Sequence, residues 1–342
     1  MNRYHATTMS DIERGASYFG VQDPEHAAAD LERLHGEGLT AVLHTFSERD
    51  RAFYGETMTD IVAASHDRSL SVYVNPWAVG GVFGGEEFSR FVAHNPDSRQ
   101  VLSTGERVPA ACFNDPSFRE FMREWTRDAA GLGADVLFWD EPHWHDVHWY
   151  GDDHPRDVWC CRCEHCREDY REEYGEPMPA TETETVSAFR EESMLDFLDE
   201  LMAMAHEEGA ENAVCLMPTE SADHGPRNWA RLAENDHIDV LATDPYWDAF
   251  AEDADPAEYV SRFGREVVEL ADENFLRSQL WIQGFGLSGD SATEEVRTAT
   301  RTALELGADS VFMWGYDGCR TISEIACEEP LAVWNAYLDE VN

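Results

Sequence analysis

Short apolar segments alternate with amphipathic segments along the chain. The apolar segments are rich in β-branched and aromatic residues, which is typical of strands that are covered on both faces. Helices are predicted between them, and one begins at Asp115–Pro116, because an acidic cap followed by proline favours a helix N-terminus. The predicted strands lie at 16–22, 40–46, 71–77, 135–141, 213–219, 239–247, 280–286 and 310–316.

Strands that alternate with helices in this way predict an α/β fold, a (β/α)8 TIM barrel. We expect residues 1–342 to form one barrel domain with long loops after strands 3 and 4. A doubly wound open sheet is the alternative, but it is expected to carry a Gly-rich phosphate loop after an early strand. The only Gly-rich run, VGGVFGGEE at 79–87, follows the third strand and has the wrong spacing.

The charge balance is strongly acidic. Aspartate and glutamate number 69 against 25 arginines, no lysine is present, and the formal net charge is −44. Such a surface stays hydrated when high salt screens its self-repulsion, so we expect a halophilic protein. An acidic groove for a cationic partner is the alternative. Nucleic acid is excluded as a partner because no basic stripe is present to meet phosphates.

The sequence also indicates where in the cell the protein is located. No apolar run reaches the roughly 18 residues that span a membrane, and the first residues lack the apolar core of a secretory signal. We therefore expect a cytoplasmic protein without a membrane partner, and the sequence is compatible with a homo-oligomer.

In a barrel, the residues at the strand ends form the active face. Strand 4 delivers the adjacent carboxyls Asp140 and Glu141, and strand 6 delivers Asp244; we predict these three as catalytic. Aromatic rings stack on sugar rings, and carboxylates and amides bind hydroxyls, so the rim predicts a carbohydrate substrate. The predicted sugar contacts are His44, Asn75, Trp77, His143, Tyr246, Trp247, Gln283, Trp314, Tyr316 and Asp317.

Clustered cysteines form the second strong feature. Cys161, Cys163 and Cys166 follow strand 4, and Cys112 follows the neighbouring strand 3 loop. Close cysteines in a cytosolic protein suggest metal, and four thiolates suit tetrahedral structural Zn²⁺. The insertion at 143–186 is thus predicted to be a zinc-binding loop. Cys160 could replace Cys161, or His165 could replace one thiolate.

The segment CFNDPSFREF, a later strand that ends in an acid pair, and the segment CCRCEHCREDYREEYG together resemble glycoside hydrolase family 42, the β-galactosidases. The resemblance covers roughly residues 110–175. It implies a TIM barrel, a structural zinc bound by the four cysteines, and Glu141 as general acid/base. Asp140 departs from the Asn of that family, and Gln283 stands where the family has its nucleophilic Glu at strand 7. The β-galactosidase activity is therefore not transferred.

Glycoside cleavage usually needs a second carboxyl besides Glu141. Asp244 is one candidate and Asp317 another. Asp140 could instead orient a substrate acetamide, since an adjacent Asp-Glu pair on strand 4 resembles family 20 hexosaminidases. Glu141, with tryptophans close in sequence, is predicted to be the protonated acid.

Two other classes of function remain open. Gln283 is compatible with a catalytically silent sugar-binding barrel. His143, His145 and His148, together with Asp140, are compatible with a metal-dependent hydrolase or isomerase. We predict a glycoside hydrolase.

Overall fold

The computed structural model describes residues 12–150, 154–155, 157–219, 224–251 and 254–342. Eight parallel strands close a barrel in chain order, with the last strand paired to the first. This confirms the predicted (β/α)8 fold and all eight predicted strands. The barrel strands are β1 (Glu13–Tyr18), β2 (Ala41–Thr45), β3 (Ser71–Asn75), β6 (Val136–Asp140), β7 (Glu211–Leu216), β8 (Val240–Thr243), β9 (Arg277–Gln283) and β10 (Ser310–Trp314).

Helices cover the outside of the barrel. The helix predicted at Asp115–Pro116 begins there, and the Asp115 carboxylate caps it by accepting a hydrogen bond from the backbone N–H of Phe118 at 2.9 Å. No helix in the described ranges is both long and apolar enough to span a membrane. The helices are α1 (Pro24–Gly36), α2 (Glu48–Phe53), α3 (Gly55–His66), α4 (Arg90–His94), α5 (Pro116–Gly131), α6 (Glu164–Tyr174), α7 (Glu184–Glu208), α8 (Trp229–Ala233), α9 (Trp247–Phe250), α10 (Pro256–Asn274), α11 (Ala292–Glu305) and α12 (Pro330–Val341).

The core has two layers because strand side chains alternate between the two faces of the sheet. Leu43, Tyr73 and Phe138 belong to the inner layer, which fills the barrel, while their strand neighbours pack outward against the helices. Gly15 leaves the space that the Phe312 ring needs, since a Cβ at Gly15 would lie 2.5 Å from that ring.

Two long connections lie side by side at the carboxyl ends of the strands. The connection after β3 contains α4 and an antiparallel hairpin of β4 (Arg99–Val101) and β5 (Arg107–Ala111). The connection after β6 contains α6 and runs to α7; residues 151–153 and 156 of the predicted 143–186 insertion lie outside the described ranges. An isolated bridge between Leu102 and Cys160 joins the two connections.

Candidate active site and cysteine cluster

Four buried cysteines meet where the two long connections touch. One sulfur from each of Cys112, Cys161, Cys163 and Cys166 lies within 4.8 Å of the other three. The Cys112 sulfur is 3.4 Å from that of Cys166 and 3.5 Å from that of Cys163. The predicted ligand set is therefore brought together, and the cluster can hold a metal ion.

Two of the sulfurs accept hydrogen bonds from the backbone. Backbone N–H groups point at them: Val101 donates to Cys161 at 3.3 Å and Asn114 donates to Cys112 at 3.4 Å. Hydrogen bonding with the other cysteines raises the pKa of Cys112 well above its ordinary value and lowers the pKa of Cys163. The two predicted alternatives lie apart from the cluster, because Cys160 pairs with the hairpin and His165 faces Asp115 at 3.3 Å.

Three carboxyls meet at the end of β6: Asp140 and Asp244 are buried, and Glu141 is half-buried at the cleft. Asp140 is the last residue of the strand and accepts a hydrogen bond from Asn75 Nδ2 at 3.0 Å. Glu141 follows in left-handed backbone geometry, with φ 41°, and its N–H donates to Cys215 O at 3.1 Å. This turn overrides strand alternation: a Cβ on Gly84 would lie 2.9 Å from Glu141 Oε2 and 3.1 Å from Asp140 Oδ2. Both carboxyls thus reach the same point.

Asp244, just beyond β8, completes the group. Its carboxyl lies close enough to that of Glu141 for the two groups to influence each other's pKa. Burial, and then the charge of Glu141, raise the pKa of Asp140 and of Asp244 well above the ordinary value. Burial also raises the pKa of Glu141, while the interaction with Asp244 opposes that rise. The trio therefore holds protons toward neutral pH.

The glycine-rich run forms a wall over these carboxyls. The N–H of Gly84 donates to Asp140 O at 3.0 Å, and Val82 O accepts from the N–H of His143 at 3.0 Å. Gly84 has no room for a side chain, which explains the glycine there. The run is anchored from below by the buried Glu48, whose carboxylate accepts from Gly80 N at 3.0 Å, Phe91 N at 2.6 Å and Ser89 Oγ at 2.6 Å.

Aromatic rings close part of the barrel mouth. Trp77 stacks on Trp314 with ring centroids 5.2 Å apart and planes 6° apart, and Phe19 stacks on both. Tyr246 lies next to Asp244, where burial raises the pKa of its hydroxyl. These aromatic residues make one side of the site apolar.

A cleft of about 850 Å³ opens beside Glu141. His143 and Trp149 line it together, with ring centroids 4.8 Å apart. His143 Nδ1 bonds to Glu141 O at 2.6 Å, and burial lowers the pKa of His143 to about 4, so the ring is neutral at pH 7. His224 stacks on Trp149 and pairs with Asp146 at 2.9 Å, which closes the outer edge of the cleft.

Several predicted sugar contacts lie elsewhere, and the structure corrects these predictions. His44 points outward from β2 to Ser65 Oγ at 2.9 Å, and burial lowers its pKa to about 4. Trp247 belongs to the outer layer and donates to Glu295 Oε2 at 3.2 Å. Strand alternation explains the first error; the second arose because β8 ends at Thr243, earlier than predicted.

Tyr316 and Asp317 are also turned away from the cleft. The Tyr316 hydroxyl donates to Asp30 at 3.3 Å, and its ring packs on Trp334. The Asp317 carboxylate forms ion pairs with Arg33 at 2.8 Å and Arg320 at 3.0 Å. These contacts occupy the carboxylate, so Asp317 is not a partner for Glu141.

Gln283 ends β9 inside the barrel but is fully engaged. Its Oε1 accepts from the N–H groups of Asp248 and Ala249 at 3.2 and 3.3 Å, and its Nε2 donates to Phe285 O at 3.1 Å. It therefore fastens the start of α9 to the barrel.

The histidine-based metal site is not assembled. In the described ranges, the cysteine cluster is the one group of three or more His, Cys, Asp or Glu side chains close enough to share an ion. His143 is bound to the backbone, and burial lowers the pKa of His145. These histidines line the cleft.

Sequence reasoning missed Gly84, Glu48 and Phe19 as parts of the site. The glycine-rich run at 79–87 was recognised in the sequence, but it was considered only as a possible phosphate-binding loop. Nothing in the sequence pairs Glu48 with a segment about 40 residues later, because that contact depends on tertiary packing.

No family model matches this chain, and no curated protein matches it. Solved structures do. Gan42B, a GH42 β-galactosidase from G. stearothermophilus, aligns over 96% of this chain and 56% of its own, with TM-score 0.69 and 13% identity. The chain thus spans about half the length of that β-galactosidase.

Two further structures are similar over most of their own length. The PgaB (BpsB) glycoside hydrolase domain from Bordetella bronchiseptica aligns over 97% of this chain and 99% of its own, with TM-score 0.63 and 16% identity. GH5_18 from Streptomyces cattleya in complex with GlcNAc aligns over 96% of this chain and 80% of its own, with TM-score 0.59 and 12% identity. At these identities the likeness shows the fold, which is a TIM barrel like that of glycoside hydrolases.

Proposed function

We propose that this chain is a glycoside hydrolase in which Glu141 is the general acid. The observation that carries the proposal is the carboxyl trio at the end of the fourth barrel strand, with Glu141 on the wall of the cleft. Burial raises the pKa of Glu141, which favours the protonated form that a general acid needs near neutral pH.

The second group is Asp244 or an acetamide of the substrate. Retaining glycosidases hold their two carboxyls about 5–5.5 Å apart, with the sugar between them. Glu141 and Asp244 instead interact directly with each other, so a sugar would have to separate them before Asp244 could attack. A substrate that brings its own acetamide avoids this, and Asp140, held by Asn75, would then orient it.

We propose that the metal of the cysteine cluster is zinc and that it is structural. Tetrahedral zinc with Zn–S bonds of about 2.3 Å separates its sulfurs by roughly 3.8 Å, which fits the observed spacing. Four thiolates leave no open position for a substrate. The ion would join the connection after β3 to that after β6, and these two connections form the walls of the cleft.

A silent sugar-binding barrel is the second candidate. Gln283 supports it, because the amide stands where family 42 has a nucleophile and is held by three hydrogen bonds.

A screen of aryl glycosides in concentrated KCl, with N-acetylhexosaminides included, tests the proposal. Glu141→Gln should lower kcat by at least about 10²-fold on substrates with poor leaving groups, because general acid catalysis is worth that much. Glu56→Gln, an exposed acid in α3 outside the cleft, is the control and should retain activity. Full activity in Glu141→Gln would exclude the mechanism, and sugar binding without turnover would favour the silent barrel.

A further inference from the structure

The cleft runs past Glu141 on both sides. Its lining comes from the segments after β3, β6, β7 and β8, and these four strands are consecutive in the barrel. Glu141 follows β6, the second of the four. On one side lie the glycine-rich run and the β4–β5 hairpin, and on the other lie Met217 and Phe250.

The opposite half of the barrel mouth is closed. The stack of Phe19, Trp77 and Trp314 fills it, and both tryptophans are only 8% exposed. Gln283 is bound to the backbone beside this stack. A ligand at Glu141 can therefore extend along the open half in two directions, and it cannot cross toward β10.

Exposed aromatic rings stand along this open half. Of the six exposed large apolar side chains in the described ranges, three line the cleft: Phe88 is 96% exposed, Trp149 41% and Phe250 41%. They belong to three different connections, after β3, β6 and β8. Exposed rings that converge on one cleft mark a binding site.

We propose that the cleft binds a polysaccharide chain, with sugar units on both sides of Glu141 and with Phe88 and Phe250 as platforms toward its two ends. This rests on the proposed hydrolase function and deepens it, because such a chain is cut internally. Each cut consumes one water: Glu141 protonates the oxygen of the released chain, the hydroxyl joins the new reducing end, and the proton of the water returns to the carboxyl group.

The charges of the walls define the chain further. Glu86, Glu87 and Glu106 line the cleft, and Arg107, the one arginine among its described lining residues, is paired with Asp97 at 2.9 Å. The buried His143 in the same wall is bound to the backbone. Like charges repel, so the chain carries no uronate or sulfate groups.

Binding is tested with Glu141→Gln in native gels that contain mixed-linkage glucan, galactan, mannan or chitin oligosaccharides, with polygalacturonate as the anionic probe. Retardation by at least one neutral polysaccharide and none by polygalacturonate is expected. Phe88→Ala and Phe250→Ala in that background should each weaken binding by about fivefold to tenfold, because each removes the apolar contact of one ring face. Phe275→Ala, which is 96% exposed in the turn before β9 and outside the cleft, is the matched control.

The outcomes separate cleanly. The proposed polysaccharide groove is overturned if no gel retards the protein, or if all three phenylalanine variants bind with equal affinity. It is also overturned if only one of Phe88→Ala and Phe250→Ala weakens binding. The unmodified enzyme is then given the bound oligosaccharide labelled at its reducing end. Internal fragments support the proposal, and stepwise release of terminal sugars contradicts it. Binding without any cleavage supports the polysaccharide-binding groove and contradicts the proposed hydrolase function.

Discussion

Glu141 occupies left-handed backbone geometry that residues other than glycine seldom adopt. Such geometry costs of the order of 1–3 kcal/mol and is kept only where the surroundings enforce it. Here the bond from its N–H to Cys215 O holds the turn, and the turn puts Glu141 beside Asp140 instead of opposite it. Strained backbone at a pair of adjacent acids beside a cleft is the pattern expected of a functional site.

Asp244→Asn should separate the stability of the trio from its chemistry. A carboxyl whose pKa is raised in the folded state contributes stability below its ordinary pKa of about 3.9, and that contribution is lost as the pH rises toward the folded value. The variant should therefore melt above the wild type at pH 7–8 and close to it at pH 4, while turnover falls by about 10²-fold or more.

Melting curves from pH 4 to pH 8 check this, with the exposed Asp248→Asn as control. A variant that melts at or below the wild type at pH 8 would show that the buried carboxyl costs nothing when it ionises.

The sequence predicted which residues form the site better than it predicted the direction in which each side chain points. The four cysteines and the carboxyls come together because strand ends converge and cysteines are rare enough to be conspicuous. His44 was misplaced because one residue of strand register reverses a side chain, and Trp247 because β8 ends at Thr243 and Trp247 begins a helix. The left-handed backbone geometry at Glu141 could not be predicted from the residue types in the sequence.

Among the elements, the glycine-rich run and α2 act as a unit through Glu48. Three donors converge on its carboxylate, and hydrogen bonds to a charged group are each worth about 1.5–3 kcal/mol. Glu48→Gln should lower the free energy of unfolding by about 2 kcal/mol and speed hydrogen exchange at Gly80 and Phe91. The Glu141 carboxyl should become better solvated, so the alkaline limb of the activity–pH profile, where the general acid loses its proton, should move to lower pH.

The exposed Glu56→Gln, in the next helix, is the control. Unchanged exchange in Glu48→Gln would mean that the glycine-rich run is held by other contacts.

The cysteine cluster joins the same two connections, so metal loss should loosen the cleft walls before the barrel. Cys163→Ser should lower bound zinc and the melting temperature together, because metal binding energy is folding energy. Cys327→Ser, a buried cysteine outside the cluster, should keep the metal. Elemental analysis of protein purified without chelator measures the metal, and a wild type without any would rule out the site.

The order of the barrel strands could be predicted from the sequence, but the hairpin and the loop contacts added to the barrel could not. Buried parallel strands show as apolar runs in any sequence, so all eight were found. The β4–β5 hairpin was missed because its strands are three and five residues long and carry little pattern. The contacts that shape the cleft, from Glu48 and Gly84, join residues far apart in the chain.

Charge is the property of the whole molecule that most limits its stability. With 69 acids and 25 arginines, most carboxylates have no cation to pair with. Surface pairs such as Arg297–Asp339 contribute little each, about 0–1 kcal/mol. Self-repulsion among 44 net negative charges therefore opposes folding, and it is relieved by screening.

We predict that the melting temperature rises steeply with KCl up to molar concentrations. The Debye length shrinks from about 10 Å at 0.1 M to about 3 Å at 1 M salt, which removes repulsion between neighbouring surface carboxylates. Thermal melts across a KCl series measure the effect, and a series in sucrose, which stabilises by exclusion without screening charge, is the control. Because repulsion also falls when carboxylates are protonated, the salt dependence should weaken at pH 5 relative to pH 8. A melting temperature that stays flat or rises as KCl is removed would contradict the halophilic interpretation and favour the alternative of an acidic surface made for a cationic partner.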